Sequence, residues 1–185
     1  MPIPQQDERY TYADYCTWDD NGRWELIDGA AYAMSPAPTR THQQISGELY
    51  RQLANFLKGK PCKVYHAPFD VRLNAGSEDN TVIQPDLVVV CDSSKLDEKG
   101  CKGAPDLVVE VLSPTSARTD KLLKFQKYQR AGVREYWIVD PETKAVQVCV
   151  LRDEFYLVTM YADTDTAPVS VLSGCEINLQ DVFAE

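Results

Sequence analysis

The chain is short of basic charge, of histidine and of long apolar runs, and each shortage removes a class of function. Nineteen Lys and Arg face 28 Asp and Glu over 185 residues, a formal net charge of −9 at pH 7. That balance excludes a histone-like coat on phosphate polymers; any phosphate-binding surface has to be locally basic or recruit a divalent cation. No apolar run approaches the ~20 residues that cross a bilayer. Asp7, Glu8, Asp14, Asp19 and Asp20 occupy a start that would be basic and then apolar in a secretory leader. The expectation is a soluble, cytoplasmic protein with no membrane partner. Only His42 and His66 represent histidine, and the six cysteines are all isolated, without a CxxC pair. That pattern offers no zinc-finger spacing and reads as reduced, intracellular thiols. Gly29, Gly76 and Gly132 sit in turn-like contexts rather than in a phosphate loop, and no Ser-His-acid or Cys-His-acid arrangement follows from the spacings.

What is present is a regular exchange of strand-like and helix-like runs. Asp28-Gly29 marks a hairpin turn between Arg23–Ile27 and Ala30–Met34. Pro36 and Pro38 lead into a helix over about Thr39 to Leu57, with Ile45, Leu49, Leu53, Phe56 and Leu57 as its inward face. Strand-like alternation follows in 62–66 and 69–73, then a polar loop over 74–81. Two runs rich in valine and leucine, Asp86–Cys91 and Asp106–Leu112, read as buried strands. Thr115 or Ser116 caps a second helix running to about Arg130, with Leu122, Phe125 and Gln129 on its packed face. Glu135–Val139 reads as a central strand, 146–150 and 155–158 as a peripheral antiparallel extension, and 175–179 as a last strand or arm. The order implies one α/β domain over residues 1–185, a mixed β-sheet flanked by helices.

Two acids stand out against this apolar background. Asp86 opens its strand directly after Pro85, and Glu110 interrupts Leu107-Val108-Val109 and Val111-Leu112. A buried carboxylate is costly unless it is paired, hydrogen-bonded or bound to metal. If the two strands are neighbours, Asp86 and Glu110 can hold one Mg²⁺, with phosphate oxygens and water completing the shell. The plainer reading has both acids capping strand ends or pairing with local cations.

The order Pro85-Asp86, then Glu110-Val111-Leu112-Ser113-Pro114, then Asp120, Lys124 and Tyr128, then Gly132-Val133 and Glu135–Pro141 is a distinctive series. It resembles the PD-(D/E)xK nuclease superfamily and, more closely, the Uma2-like family, and the likeness extends upstream through Glu25–Gly29 and the helix that contains His42. The resemblance implies a restriction-endonuclease-like fold over 1–185, with a core over about 22–162, and metal-dependent endonuclease activity using Mg²⁺ or Mn²⁺. One position departs from the parent pattern: Leu112 stands where a lysine is expected two residues after Glu110. A leucine cannot polarise phosphate or water. The Uma2-like variation implies that the lysine has migrated to Lys124 on the following helix, with Lys121, one turn earlier, as the alternative. Alone, either lysine also reads as a solvated side chain covering an apolar face.

Hydrolysis of a nucleic-acid phosphodiester, DNA before RNA, then assigns Asp86 and Glu110 to metal and Lys124 to the nucleophile or the phosphate. Glu25 is either a further acid at the metal or the partner of a hairpin salt bridge, and His42 is either a phosphate-side group or a helix cap. Arg118, Lys121, Lys127 and Arg130 form the clearest cationic run for a phosphate backbone, and equally a solvated face. The competing class is a non-catalytic nucleic-acid binding or regulatory module on the same fold. A homodimer through Tyr136, Trp137 and their neighbours is a further expectation, against the simpler reading of these rings as core.

Overall fold

Ile45, Leu49, Leu53 and Leu57 recur every fourth residue, so they share one side of a helix, and all four are buried. That helix is the second of four α-helices among the described residues. The computed structural model describes residues 8–18, 22–34, 37–76, 78–113 and 119–184, with the backbone alone at 119–121. In chain order the first elements are α1 (Tyr12–Tyr15), β1 (Trp24–Ile27), β2 (Ala30–Ala33), α2 (Arg40–Leu57), β3 (Lys63–His66) and β4 (Asp70–Arg72). Then come β5 (Val82–Ile83), β6 (Leu87–Val90), β7 (Leu96–Asp97), β8 (Gly100–Lys102), β9 (Leu107–Val111) and α3 (Thr119–Ala131). The last are β10 (Glu135–Asp140), β11 (Ala145–Arg152), β12 (Phe155–Ala162), β13 (Thr166–Pro168), β14 (Glu176–Asn178) and α4 (Leu179–Val182).

The larger framework is a mixed sheet in the order β12-β11-β10-β9-β6-β3, with β9 and β10 parallel and its other neighbours antiparallel. Alternation along each strand sorts its side chains onto two faces. Leu87, Val89, Leu107, Val109, Trp137 and Val139 pack with α2 and the C-terminal elements, whereas Val88, Val90, Val108, Tyr136 and Ile138 pack with Tyr128 of α3 and with Val133. Glu110, two residues after Val108, therefore looks toward α3. The single sheet expected from the sequence is joined by a second six-stranded one, β2-β1-β5-β4-β8-β7, whose Ile27, Val71, Ile83 and Cys101 pack into the α3-side core. Its β1, β2 and β4 fall in runs read as strands, whereas β5, β7 and β8 are two or three residues long, too short for period-two patterning to announce them. The hairpin at Asp28-Gly29 is present, both residues carrying positive φ (51° and 79°).

Three expectations are corrected. The packed face of α3 does not include Leu122, which is 71% exposed; Lys124 and Tyr128 are the buried residues there. Cys62 and Cys91 form a disulfide rather than two thiols, because the antiparallel register Lys63↔Val90 brings the residues just outside it face to face. Tyr136 and Trp137 are each 1% exposed and cannot form a dimer face; the exposed apolar side chains Phe155, Leu157, Val158 and Met160 lie on β12, an end strand. The proposed caps Thr115 and Ser116, and Pro36, lie outside the described residues. Among those described, no helix is long and apolar enough to cross a membrane.

Gly100 is where the second sheet tolerates no side chain. β4 and β8 run parallel with Asp70 opposite Gly100, whose φ is 152°. A Cβ there would lie 2.1 Å from the Asp70 carbonyl oxygen, so backbone must shift to admit it. Gly100→Ala is expected to lower unfolding stability by ~2 kcal/mol or more, read from the midpoint of chemical denaturation. A variant as stable as the parent would contradict this close approach.

Candidate active site

The antiparallel register Leu87↔Val109 continues one step outward to set Asp86, the residue before β6, opposite Glu110 of β9. The backbone holds Asp86 in place: its carbonyl accepts from the Ala67 N–H (3.0 Å), and its Oδ2 accepts from the Val111 N–H (2.8 Å). His42, in the first turn of α2, brings Nε2 to 3.2 Å from the same Oδ2. Thr39 caps that turn, its Oγ1 accepting from the His42 N–H.

Lys124 closes the site from the opposite side. Its Nζ donates to Glu25 Oε1 of β1 at 2.9 Å and to Glu110 Oε1 of β9 at 3.2 Å, and both Lys124 and Glu25 are only 6% exposed. Glu25 Oε1 also accepts from the Gln84 N–H at 3.0 Å. Tyr128, one helical turn beyond Lys124 on the same face of α3, is fully buried and donates its hydroxyl to Glu110 Oε1 at 2.8 Å. Five segments distant in sequence thus meet: β1, the start of α2, the chain entering β6, β9 and α3.

The electrostatics follow from burial and crowding. Burial is the main cause that pushes the Glu110 carboxyl up to about 7; Asp86 and Glu25 add to the rise, while Lys124 and the Tyr128 hydrogen bond oppose it. His42 is raised from its ordinary value, chiefly by its hydrogen bond with Asp86 and against the pull of burial. Burial, then the Glu110 charge, pushes the Tyr128 hydroxyl well above its usual range. His42 Nδ1 is buried with no hydrogen-bond partner. Three carboxylates thus converge on one ammonium and one imidazole. Among the described residues no group of three or more His, Cys, Asp and Glu is arranged to hold a metal unaided.

Of the residues singled out from the sequence, Asp86, Glu110, Lys124, Glu25 and His42 come together here. Lys127 instead pairs with Asp28 at 2.6 Å, and Arg130 lies exposed in the last turn of α3. Arg118 and the Lys121 side chain lie outside the described residues. Sequence reasoning gave no role in the site to Tyr128 or to the Gln84 amide. Tyr128 was findable from its four-residue spacing to Lys124, whereas a backbone donor such as that of Gln84 leaves no signature in residue identity.

A carboxyl whose folded value is raised contributes stability that is fully present below its unfolded value, here 4.5, and is lost as pH rises through the folded one. Carbon-13 NMR of the labelled Glu110 carboxyl is therefore expected to show titration near pH 7, Lys124→Met to raise that midpoint, and the metal-free protein to lose stability between about pH 4.5 and 7. Titration at an ordinary glutamate value would contradict the buried cluster.

The chain matches the Uma2 family, described as "Putative restriction endonuclease", over residues 11–180. It is 28% identical over 156 residues to "Uncharacterized protein slr1290" of Synechocystis, covering 82% of this chain and 80% of that one. It superposes with a TM-score of 0.73 on a crystal structure from Anabaena variabilis described as "a putative nuclease belonging to DUF820", at 20% identity and covering 94% of this chain and 97% of the other. At that identity the likeness is one of fold: α/β, with a mixed sheet flanked by helices. The family match spans both six-stranded sheets and every acid of the cluster, and the chain belongs to the Uma2 family, within the restriction-endonuclease-like superfamily.

Proposed function

We propose that the chain is a metal-dependent endonuclease that hydrolyses nucleic-acid phosphodiester bonds, DNA in preference to RNA. The observation that carries this reading is the convergence of Asp86, Glu110 and Glu25 around the buried ammonium of Lys124. The donor set suits Mg²⁺, with Mn²⁺ as a substitute. Asp86 Oδ1 and Glu110 Oε2 make no hydrogen bond among the described residues, and both are hard oxygen donors. Mg²⁺ is commonly held by one or two carboxylates with water and substrate phosphate completing the shell, so a closed protein cage is not required. When bound, the ion would polarise the phosphate and lower the proton affinity of the attacking water.

The side chains divide the remaining tasks. Asp86, fixed by the Val111 N–H and His42, and Glu110, fixed by Tyr128, would hold the ion through their remaining oxygens. Glu25 holds Lys124 in place rather than ligating. Lys124 supplies the fixed positive charge that orients the nucleophile or offsets charge developing on the phosphate, the task for which Leu112 is unsuited. Arg118, Lys121 and Arg130 would serve as phosphate-backbone contacts, and Lys127 would join them only by leaving Asp28.

Purified protein with Mg²⁺ or Mn²⁺ is expected to cleave DNA, and Asp86→Ala, Glu110→Ala and Lys124→Ala to lower the rate by at least ~10²-fold while remaining folded. Undiminished cleavage by these variants would reject the assignment. Loss in Lys121→Ala alone would move the lysine's role there. Tight nucleic-acid binding without cleavage across metals and substrates would make the chain a binding module on a nuclease fold.

A further inference from the structure

A cleft of ≈ 390 Å³ opens beside the acid cluster, lined by Tyr65, Pro68, Phe69, Asp70, Gln84, Asp97, Glu98, Lys99 and Gly100. It adjoins the active site at Gln84. Gln84 borders the cleft, holds Glu25 through its backbone N–H, and lies two residues before Asp86, at most ~7 Å along an extended chain. The segment leading to Phe69 is tied to Asp86 by the Ala67 N–H. A nucleotide next to a phosphate held at Asp86 and Glu110 would therefore have this cleft within reach of its base.

The lining selects what can enter. Three carboxylates against Lys99 repel a phosphate. A metal ion finds few open ligands, because the oxygens of Asp70 and Asp97 are already engaged. Asp70 Oδ1 accepts from the Tyr15 hydroxyl and the Gln84 amide, and Asp97 Oδ1 from the N–H groups of Lys99 and Gly100. Asp97 Oδ2 pairs with Lys102. What remains is the partly buried Tyr65–Phe69 ring pair and one acceptor. The Tyr65 and Phe69 rings stack in parallel, 4.5 Å apart with 8° between their planes. Glu98, at the rim, is exposed and makes no ion pair among the described residues. A flat, uncharged ring with N–H donors on its edge meets both conditions, and guanine meets them best, since its ring N–H and amino group can bind one carboxylate side by side.

Resting on the nuclease reading, we infer that the cleft formed by Tyr65, Phe69, Gln84 and Glu98 receives an unstacked guanine from the nucleotide adjoining the scissile phosphate, and so sets a base preference for cleavage. Gln84 couples the two sites, since its backbone steadies Glu25 while its side chain, bonded to Asp70, Tyr15 and Arg23, forms part of the cleft wall.

The test does not require cleavage. Guanosine, inosine and uridine are titrated into the metal-free full-length protein, and the backbone amides of Phe69, Gln84, Lys99 and Gly100 are followed by NMR. Guanosine is expected to shift these amides saturably, and inosine, which lacks only the amino group, to bind about tenfold more weakly. Glu98→Gln, an exposed change that leaves folding intact, is expected to remove most of that difference, and Phe69→Ala to weaken guanosine binding about tenfold. Shifts that ignore the base, or that avoid the cleft, would overturn the inference even if the protein cleaves DNA. Guanine-selective shifts in a protein that cleaves nothing would leave the cleft standing and remove the nuclease reading.

Discussion

The ammonium of Lys124 lies inside the protein between Glu25 and Glu110, and much of the architecture follows from satisfying it. A buried charge without a partner costs several kcal/mol, and breaking a buried pair typically costs about 3–5 kcal/mol because the surviving charge stays in low dielectric. The lysine therefore ties α3 to β9, fourteen residues away, and to β1, ninety-nine residues away. β1 belongs to the small sheet and β9 to the large one, so the ion pairs join the two layers at the point where the acids meet. The valine and tyrosine core around Val88, Val108, Tyr128 and Tyr136 supplies the hydrophobic stabilisation that offsets the desolvation of these groups.

The same arrangement leaves the site short of positive charge. Burial is the main cause that raises Glu110 to about 7, Asp86 and Glu25 add to it, and Lys124 and Tyr128 oppose the rise without cancelling it. A cluster strained in that direction favours any cation that enters it. Glu110 is well suited to share itself: Oε1 is committed to Lys124 and Tyr128, while Oε2 has no partner among the described residues. Asp86 is divided in the same way, Oδ2 bonded to Val111 and His42 and Oδ1 left over.

How far the sequence disclosed this depends on whether a feature is periodic or a matter of distance. The inward face of α2 was legible because leucine at every fourth position has few other meanings, and β6 and β9 because valine runs of that length are buried strands. Glu110 was legible because a charge interrupts such a run. Lys124 was not legible by pattern, since a helical lysine ordinarily lies in solvent; only the order of motifs around it singled it out. The apolar face assigned to α3 was wrong at Leu122 for the same reason, as the helix turns a lysine inward and a leucine outward. Glu25 read equally well as a hairpin salt bridge, its true partner lying ninety-nine residues away. The Cys62–Cys91 bond depends on the register of β3 and β6, and the closure of the second sheet on β5, β7 and β8, which are too short to carry a period.

We propose that Lys124 and a divalent cation would divide Glu110 between them rather than compete for it. Anomalous diffraction from crystals soaked in Mn²⁺ tests this directly. One strong peak is expected about 2.1 Å from carboxylate oxygens of Asp86 and Glu110, with Lys124 Nζ still bonded to Glu25. A peak between Glu25 and Glu110 with the lysine displaced, or a peak remote from both Asp86 and Glu110, would contradict it.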